Sequence, residues 1–477
     1  MSLPVPPGHR AAGAVRCAEL GRRATLPGGR HGGTAGGDGL PGSTALRQSA
    51  AMRFALVTLG STGDLYPFLA IGRALHEQGH EVFLLSQAPH GRDAVRAGLQ
   101  FIPVADAQAH ERTLSHPKLW HPVDGLGVLW RHLCLPAAQP TWEALRRLSQ
   151  GLPPGQPLRV LASPLAVGAR LARDTLPIRL WTGYLAPAAL RTLDDPMFLG
   201  PWRVPTWVPL RWRRTAWQAL DRWKLEPMAR GPLSALATQV GAQPLEGSVF
   251  GDWIHSPDGG LALYDAAFAA LPRRLHGALS APPWLERLHQ VGFPNFEWAS
   301  PDAGASPKAS EAHPWVLFGG SAGTHGVDQA LCLARELIAH SGKPCVMLEP
   351  GRDRPTCDSQ SQITRLPLQA LPPLLRRAHA FVHHGGIGSC AQGLTAGVPQ
   401  ILMPRAYDQF ENAAAIQRMG MGWAMPRPIQ RASPARQAAW IAARSNIACA
   451  APMSSGYSVP GQPNAAVVEA LRCLTAD

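Results

Sequence analysis

The sequence predicts an α/β protein in which two doubly wound parallel-sheet domains face each other across a cleft. Three observations predict it. Short apolar runs of the kind that form strands buried on both faces recur between Phe54 and Met403. Several are followed at once by a glycine-rich turn and an amphipathic helix, the order of parallel strands joined by right-handed crossovers. A stretch of linker composition, ASPDAGASPKASEA at 299–312, separates two such units.

Residues 1–51 stand apart. The stretch LPGGRHGGTAGGDGLPGS cannot bury a core, so this segment is expected to be a disordered extension. It lacks the apolar segment of a secretory signal. Met52 is followed directly by the strand pattern RFALVTL and is expected to be the natural start; a transit peptide is the alternative for a segment so rich in Arg. The first domain, 52–298, opens with a strand at 54–59 and the turn Gly60-Ser61-Thr62-Gly63-Asp64. A helix is expected from about Pro67 to Gly79, with Phe68, Ile71 and Leu75 on its apolar face. Strands follow at 81–86 and from Phe101. The middle, about 115–230, is rich in Trp and Pro and shows no clear period.

The second domain, 313–460, begins with a strand at 315–318, a glycine-rich turn at 319–323 and a helix carrying Leu331, Leu333 and Leu337. Strands at 344–348 and 380–383 lead to a second turn, Gly385-Gly386-Ile387-Gly388-Ser389, a helix ending at Gly397 and a strand at 401–403. A closing helix is expected over 464–474, within the terminal segment 461–477.

Composition narrows the function. Of 477 residues 45% are hydrophobic and 16% charged, which fits a globular chain with room for two or three domains. No run approaches the roughly 18 apolar residues of a membrane-spanning helix. The 8 Cys form no C-x-x-C pair, which argues against a zinc ribbon or disulfide scaffold and for a reducing, cytoplasmic setting. The net charge of +13 comes almost entirely from Arg, since Lys118, Lys224, Lys308 and Lys343 are the only lysines. With so much Ala, Gly and Pro this reads as coding bias, and no nucleic-acid partner is expected.

Gly60, Ser61, Gly63 and Asp64 lie at the carboxyl end of a strand, where open α/β sheets bind ligands. The G-x-G-x-x-G spacing is absent, and no carboxylate follows the second strand, so a dinucleotide cofactor is not expected. Asp64 is either a helix cap or a functional carboxylate. The turns holding Gly320 and Ser321 and Gly386, Gly388 and Ser389 each present backbone N–H groups at a helix start, which suits a diphosphate. Of the consecutive His383 and His384, one must point off the core. Asp408 and Gln409 are either a cap and a surface residue or a hydrogen-bonding pair for sugar hydroxyls. No D-x-D occurs, and the pairs His76/His80 and His116/His121 lack a third partner, so no metal is expected. Trp202, Trp207, Trp212, Trp217 and Trp223 alternate with Arg211, Arg213, Arg214, Arg222 and Lys224. Packing in a helical subdomain is the plainer reading; a membrane-facing or acyl-lining stretch is the other.

TLGSTGDLYPFLAIGRALHEQGHEV (58–82) and FVHHGGIGSCAQGLTAGVPQILMPRAYDQFENA (381–413) resemble the two signature regions of the family 1 glycosyltransferases of the GT-B fold. GDWIHSPDGGLALYDAAFA (251–269) and HQVGFPNFEW (289–298) are similar to the bacterial rhamnosyltransferases, a group related to the sterol glucosyltransferases. The likeness covers most of 52–425 and fades over 426–460. It implies inverting, metal-independent and cofactor-free transfer of a hexosyl group, rhamnose or glucose, from a nucleoside diphosphate sugar to a hydroxyl of a lipid or other hydrophobic acceptor. By this resemblance Asp64 is the base. His384, Gly386, Gly388 and Ser389, beside His383 and with Gly320 and Ser321, meet the diphosphate. Asp408 and Gln409, assisted by Asn412, hold the sugar. Gln392 stands where plant relatives have a ribose-binding Glu, so a dTDP sugar fits about as well as a UDP sugar. The implied partners are a nucleotide sugar and a lipid acceptor, with peripheral contact at the inner membrane face; a partner chain is left open. The alternatives are a sugar-nucleotide epimerase of the same fold and a non-catalytic sugar-nucleotide-binding subunit.

Overall fold

The computed structural model describes residues 51–275, 282–296, 313–318, 326–349, 352, 354–358, 360–367, 371–445 and 464–476. The expectations for residues 1–50, for the linker 299–312 and for Gly320 and Ser321 lie outside the described residues.

The first lobe is built on β1 (Arg53–Val57), α1 (Thr62–Glu77), β2 (Glu81–Gln87), β3 (Gln100–Ala105), β4 (Leu158–Ala162), β5 (Ile178–Tyr184), β6 (Gly260–Ala262) and β7 (Leu288–Gln290). The strands run parallel in the order β3-β2-β1-β4-β5-β6-β7. β1 is apolar from Phe54 onward because successive side chains enter two different cores: Phe54 and Leu56 pack under α1, while Ala55 and Val57 pack on the opposite face. Phe54, Leu56 and Val57 each contribute about 1.5–3 kcal/mol on burial. Sheet order reverses direction beside β1, so the crevice at its carboxyl end is a topological switch point.

The helix expected from Pro67 starts five residues earlier, at Thr62. Ser61 is its N-cap, and the Asp64 carboxylate reaches back to the Ser61 N–H at 2.6 Å. That return bond closes the first turn, so Thr62, Gly63 and Asp64 are helical rather than part of the loop. The opaque middle region resolves into short strands Met197–Leu199 and Trp202–Val204, then α2 (Leu210–Leu220) and α3 (Glu226–Val240), joined through a π-turn at Asp221–Leu225.

The second lobe comprises β8 (Trp315–Phe318), β9 (Cys345–Glu349), β10 (Thr356–Asp358), β11 (Ile363–Pro367), β12 (Ala380–His383), α4 (Ile387–Ala396), β13 (Gln400–Leu402), α5 (Gln409–Arg418) and β14 (Gly422–Ala424). Its order is β10-β11-β9-β8-β12-β13-β14, parallel except for the β10–β11 pair. Finally α6 (Ala465–Thr475) returns to the first lobe, where Val467, Leu471 and Leu474 join the core beneath α1. Asn464 caps its start and Arg159 binds its last carbonyls, Leu474 O at 2.7 Å and Ala476 O at 2.6 Å. A cation there complements the helix dipole.

Candidate active site

The first loop leaves β1 through Gly60, whose φ of +142° only glycine adopts without strain. A Cβ at this position would also lie 2.8 Å from the Asp64 Cγ. Gln87 braces the loop from the end of β2, donating through Nε2 to Gly60 O at 2.7 Å. Asp64 spends one oxygen locally: its Oδ2 accepts from Ser61 N at 2.6 Å and Ser61 Oγ at 2.9 Å. Its Oδ1 has no hydrogen-bond partner among the described residues. Burial raises the Asp64 carboxyl above its ordinary range, against the lowering effect of the Ser61 bonds. The cap reading of Asp64 thus holds for Oδ2 and leaves Oδ1 uncommitted.

The second glycine turn joins β12 to α4. The alternation of a strand sends its two histidines opposite ways. His384 lines the inter-lobe cavity and stacks on Phe318, ring centroids 5.5 Å apart. Burial first, and the nearby Arg405 second, hold it down to about 4, so the ring is neutral near pH 7. Its buried Nδ1 has no protein partner among the described residues. His383 does not reach the cavity. It is buried, its Nε2 is 2.9 Å from Gln400 Oε1, and its Nδ1 accepts from Gly385 N at 3.2 Å. The expected donor contact of His383 is therefore replaced by a positioning role beneath the loop. Gly386 leaves room for His384, since a Cβ there would lie 2.6 Å from the His384 Nε2. Gly388 brings the lobes together: a Cβ there would meet Gly63 Cα at 3.3 Å. The N-termini of α1 and α4 thus abut across the crevice.

Asp408 and Gln409 open α5, and both line the cavity with Ser389 and Gln392. Burial, then the charge of Asp64, push the Asp408 carboxyl up to about 7, while an Asn412 hydrogen bond works the other way. Gln409 is buried, with Oε1 accepting from Arg405 N at 2.8 Å and Ala406 N at 3.1 Å. Asn412 does not line the cavity; its Nδ2 donates to Gly385 O at 3.0 Å and Asp408 Oδ2 at 2.7 Å. The expected sugar contact of Asn412 is thus indirect, because both donor hydrogens already face protein oxygens.

Sequence reasoning missed two residues here. Glu411 lines the cavity one turn after Asp408, and burial together with Asp408 raises its carboxyl to about 8. Its helical spacing from Asp408 was the available signal. Tyr407 adopts φ +56° and donates from Oη to Leu119 O at 2.5 Å, bridging the lobes beside Asp408. Nothing local in the sequence marks that contact.

The cavity between the lobes measures about 910 Å³. The first lobe contributes a mostly apolar wall that includes Leu126, Leu129, Phe198, Leu220, Phe250 and Ile254. Asp64, His384, Ser389 and Asp408 line this same cavity. Among the described residues no three His, Cys, Asp or Glu side chains are grouped to hold a metal.

Comparison with known proteins agrees with this geometry. Residues 54–134 match the glycosyltransferase family 28 N-terminal domain, and residues 353–455 match the C-terminal domain of the erythromycin biosynthesis protein CIII-like family. An O-mycaminosyltylonolide 6-deoxyallosyltransferase of Streptomyces fradiae is 27% identical over 399 residues, covering 80% of this chain and 86% of its own. A sterol 3-beta-glucosyltransferase of Saccharomyces cerevisiae is 21% identical over 409 residues, 80% of this chain but only 32% of the yeast protein. The solved glycotransferase of kitacinnamycin superposes with a TM-score of 0.59 at 19% identity, covering 84% of this chain and 92% of its own. The glycosyltransferase VinC, in complex with dTDP, does so with 0.52 at 16%, covering 82% and 90%. The molecule is a glycosyltransferase of the GT-B fold.

Proposed function

We propose that this enzyme is an inverting, metal-independent transferase that moves a hexosyl or deoxyhexosyl group from a nucleoside diphosphate sugar to a hydroxyl of a lipid-like acceptor. One observation carries the reading: the Asp64 oxygen left over from the helix cap sits where a large apolar cavity meets the N-terminus of α4. The acceptor's skeleton occupies the apolar wall and brings its hydroxyl to Asp64. Asp64 takes the proton as the oxygen forms its bond to the anomeric carbon. The bond from that carbon to the diphosphate breaks with its electron pair, and attack from the opposite face inverts the centre. Negative charge grows on the leaving diphosphate. The N–H groups at the start of α4 and the neutral His384 are set to receive it. Asp408 and Gln409 lie where the sugar hydroxyls would be held. The raised Asp408 carboxyl can donate as well as accept.

For the donor, Gln392 supplies no carboxylate to select a ribose 2′-hydroxyl, and a neighbour of the same fold was solved with dTDP; both favour a dTDP sugar. For the acceptor, relatives act on a tylonolide and on a sterol, each a hydroxylated apolar skeleton. The test combines the chelator-treated protein with dTDP- and UDP-hexoses and a panel of hydroxylated lipids. The expected product is a lipid heavier by one sugar, with its anomeric configuration inverted relative to the donor. An isomerised sugar nucleotide formed without acceptor would instead establish an epimerase, and dependence on added metal would overturn the metal-free mechanism.

A further inference from the structure

The tryptophans of the middle region are not packed as the plainer sequence reading expects. Only Trp217 is buried; Trp202, Trp207, Trp212 and Trp223 are 58%, 80%, 60% and 77% exposed, joined by Leu210 at 42%. Every exposed Trp among the described residues falls in this one segment, so the exposure is clustered rather than the scatter normal on a surface. Trp212 lies on α2 and Trp223 in the π-turn that continues it, and each directly follows an arginine, Arg211 and Arg222. Both arginines are exposed and make no ion pair among the described residues. Buried Arg213 holds the presenting loop: it donates to Leu193 O, Pro205 O, Thr206 O and Val208 O at 2.8–3.2 Å, fixing the turn that carries Trp207. Trp202 and Trp223 also line the apolar cavity, so the patch borders its opening.

We propose that this face, Trp202 to Trp223, docks on an anionic lipid bilayer and delivers a hydroxylated lipid from it into the cavity. Indole rings favour the headgroup boundary, where an apolar body and an N–H are both satisfied. The exposed arginines meet anionic headgroups. No described helix is long and apolar enough to cross a membrane, so attachment would be superficial. A second copy of the chain is the less suited occupant, because two such faces would oppose like charges. The delivery step rests on the acceptor reading above; the docking step does not.

The test measures co-sedimentation of the full chain with phosphatidylcholine vesicles and with phosphatidylcholine–phosphatidylglycerol vesicles. It compares wild type, the double variant Trp207→Ser/Trp212→Ser and Arg211→Glu, none of which alters a cavity-lining residue. Expected is binding to the anionic vesicles, quenching of Trp fluorescence by brominated lipid, and about tenfold or greater loss of binding in the double variant. Turnover on a water-soluble short-chain alcohol should be unchanged in that variant, while turnover on a vesicle-embedded acceptor falls with binding. Absence of wild-type binding, or variants that bind as wild type does, would overturn docking. So would a dimer in sedimentation velocity that the double variant dissociates. Intact docking with no lipid glycosylated would instead refute the acceptor reading alone.

Discussion

Replacing Asp64 by Asn separates its two jobs. The amide oxygen can still accept from Ser61 N and Ser61 Oγ, which now lie 2.6 and 2.9 Å from Oδ2. Those bonds lose their charge assistance, and the helix dipole loses a favourable anion, together about 1–2 kcal/mol. Against this, burial raises the carboxyl, so the folded state disfavours the charge at neutral pH and removing it returns stability. The net change should lie within about 1 kcal/mol, or about 2–4 °C in melting temperature. A lost general base costs about 10²–10⁴ in kcat, roughly 3–5 kcal/mol of transition-state stabilisation. Catalysis should therefore collapse while the fold does not. Steady-state kinetics, thermal melting and donor titration read the three quantities. The donor dissociation constant should stay within about threefold, because the donor loops belong to the other lobe. The rising limb of the kcat/KM profile, displaced above the ordinary carboxylate range near pH ~4, should vanish. A kcat within about tenfold of wild type would refute the assignment of Asp64 as base.

His384→Gln keeps a hydrogen-bond donor but loses the ring stacked on Phe318. Turnover should fall about 10²-fold with a weaker donor KM and little thermal change, measured by initial rates at varied donor. Stability should also fall as pH rises between about 7.5 and 9. The histidines held low by burial, His90 and His384 at about 4 and His383 at about 3, are neutral in both states there. Asp408 at about 7 and Glu411 at about 8 keep protons that the unfolded chain lost near pH ~4. Raising pH strips those protons from the folded state alone, so melting temperature should decline through this window. Glu411→Gln should flatten the slope, and an unchanged slope would refute the raised carboxyl.

What could be read from the chain depended on the range of the interactions. The parallel strands and glycine turns are local: Ala380–His383 and the end of α4 at Gly397 fall where apolar period and C-cap glycine put them. The start of α1 was misplaced because Pro67 resembles a helix head, whereas the true signal was the reach of Asp64 back to Ser61. The opposed directions of His383 and His384 were legible from strand alternation, but which one faced the crevice depended on Gln400. The apolar wall of the cavity was not legible. Leu126, Phe198, Leu220 and Ile254 come from distant segments whose individual patterns fit ordinary packing. Trp exposure was equally hidden, since α2 buries Trp217 and exposes Trp212 for reasons that lie in its neighbours.

The length of the second signature follows from this division between residues that touch the cavity and residues that hold them. Asn412 is the junction, donating from one nitrogen to the glycine loop at Gly385 O and to the cavity-lining carboxylate of Asp408. Asn412→Ala should leave both oxygens unpaired in a buried setting, at about 1–3 kcal/mol of stability. A purely structural role would stop there. Because the Asn412 bond is what lowers the Asp408 carboxyl, its loss should move that carboxyl further above about 7. The pH profile of donor affinity should then shift to higher pH, in step with a proton followed at Asp408 by NMR. Asn412→Ala with weakened stability but an unmoved profile would confine Asn412 to packing and remove the coupling between the two loops.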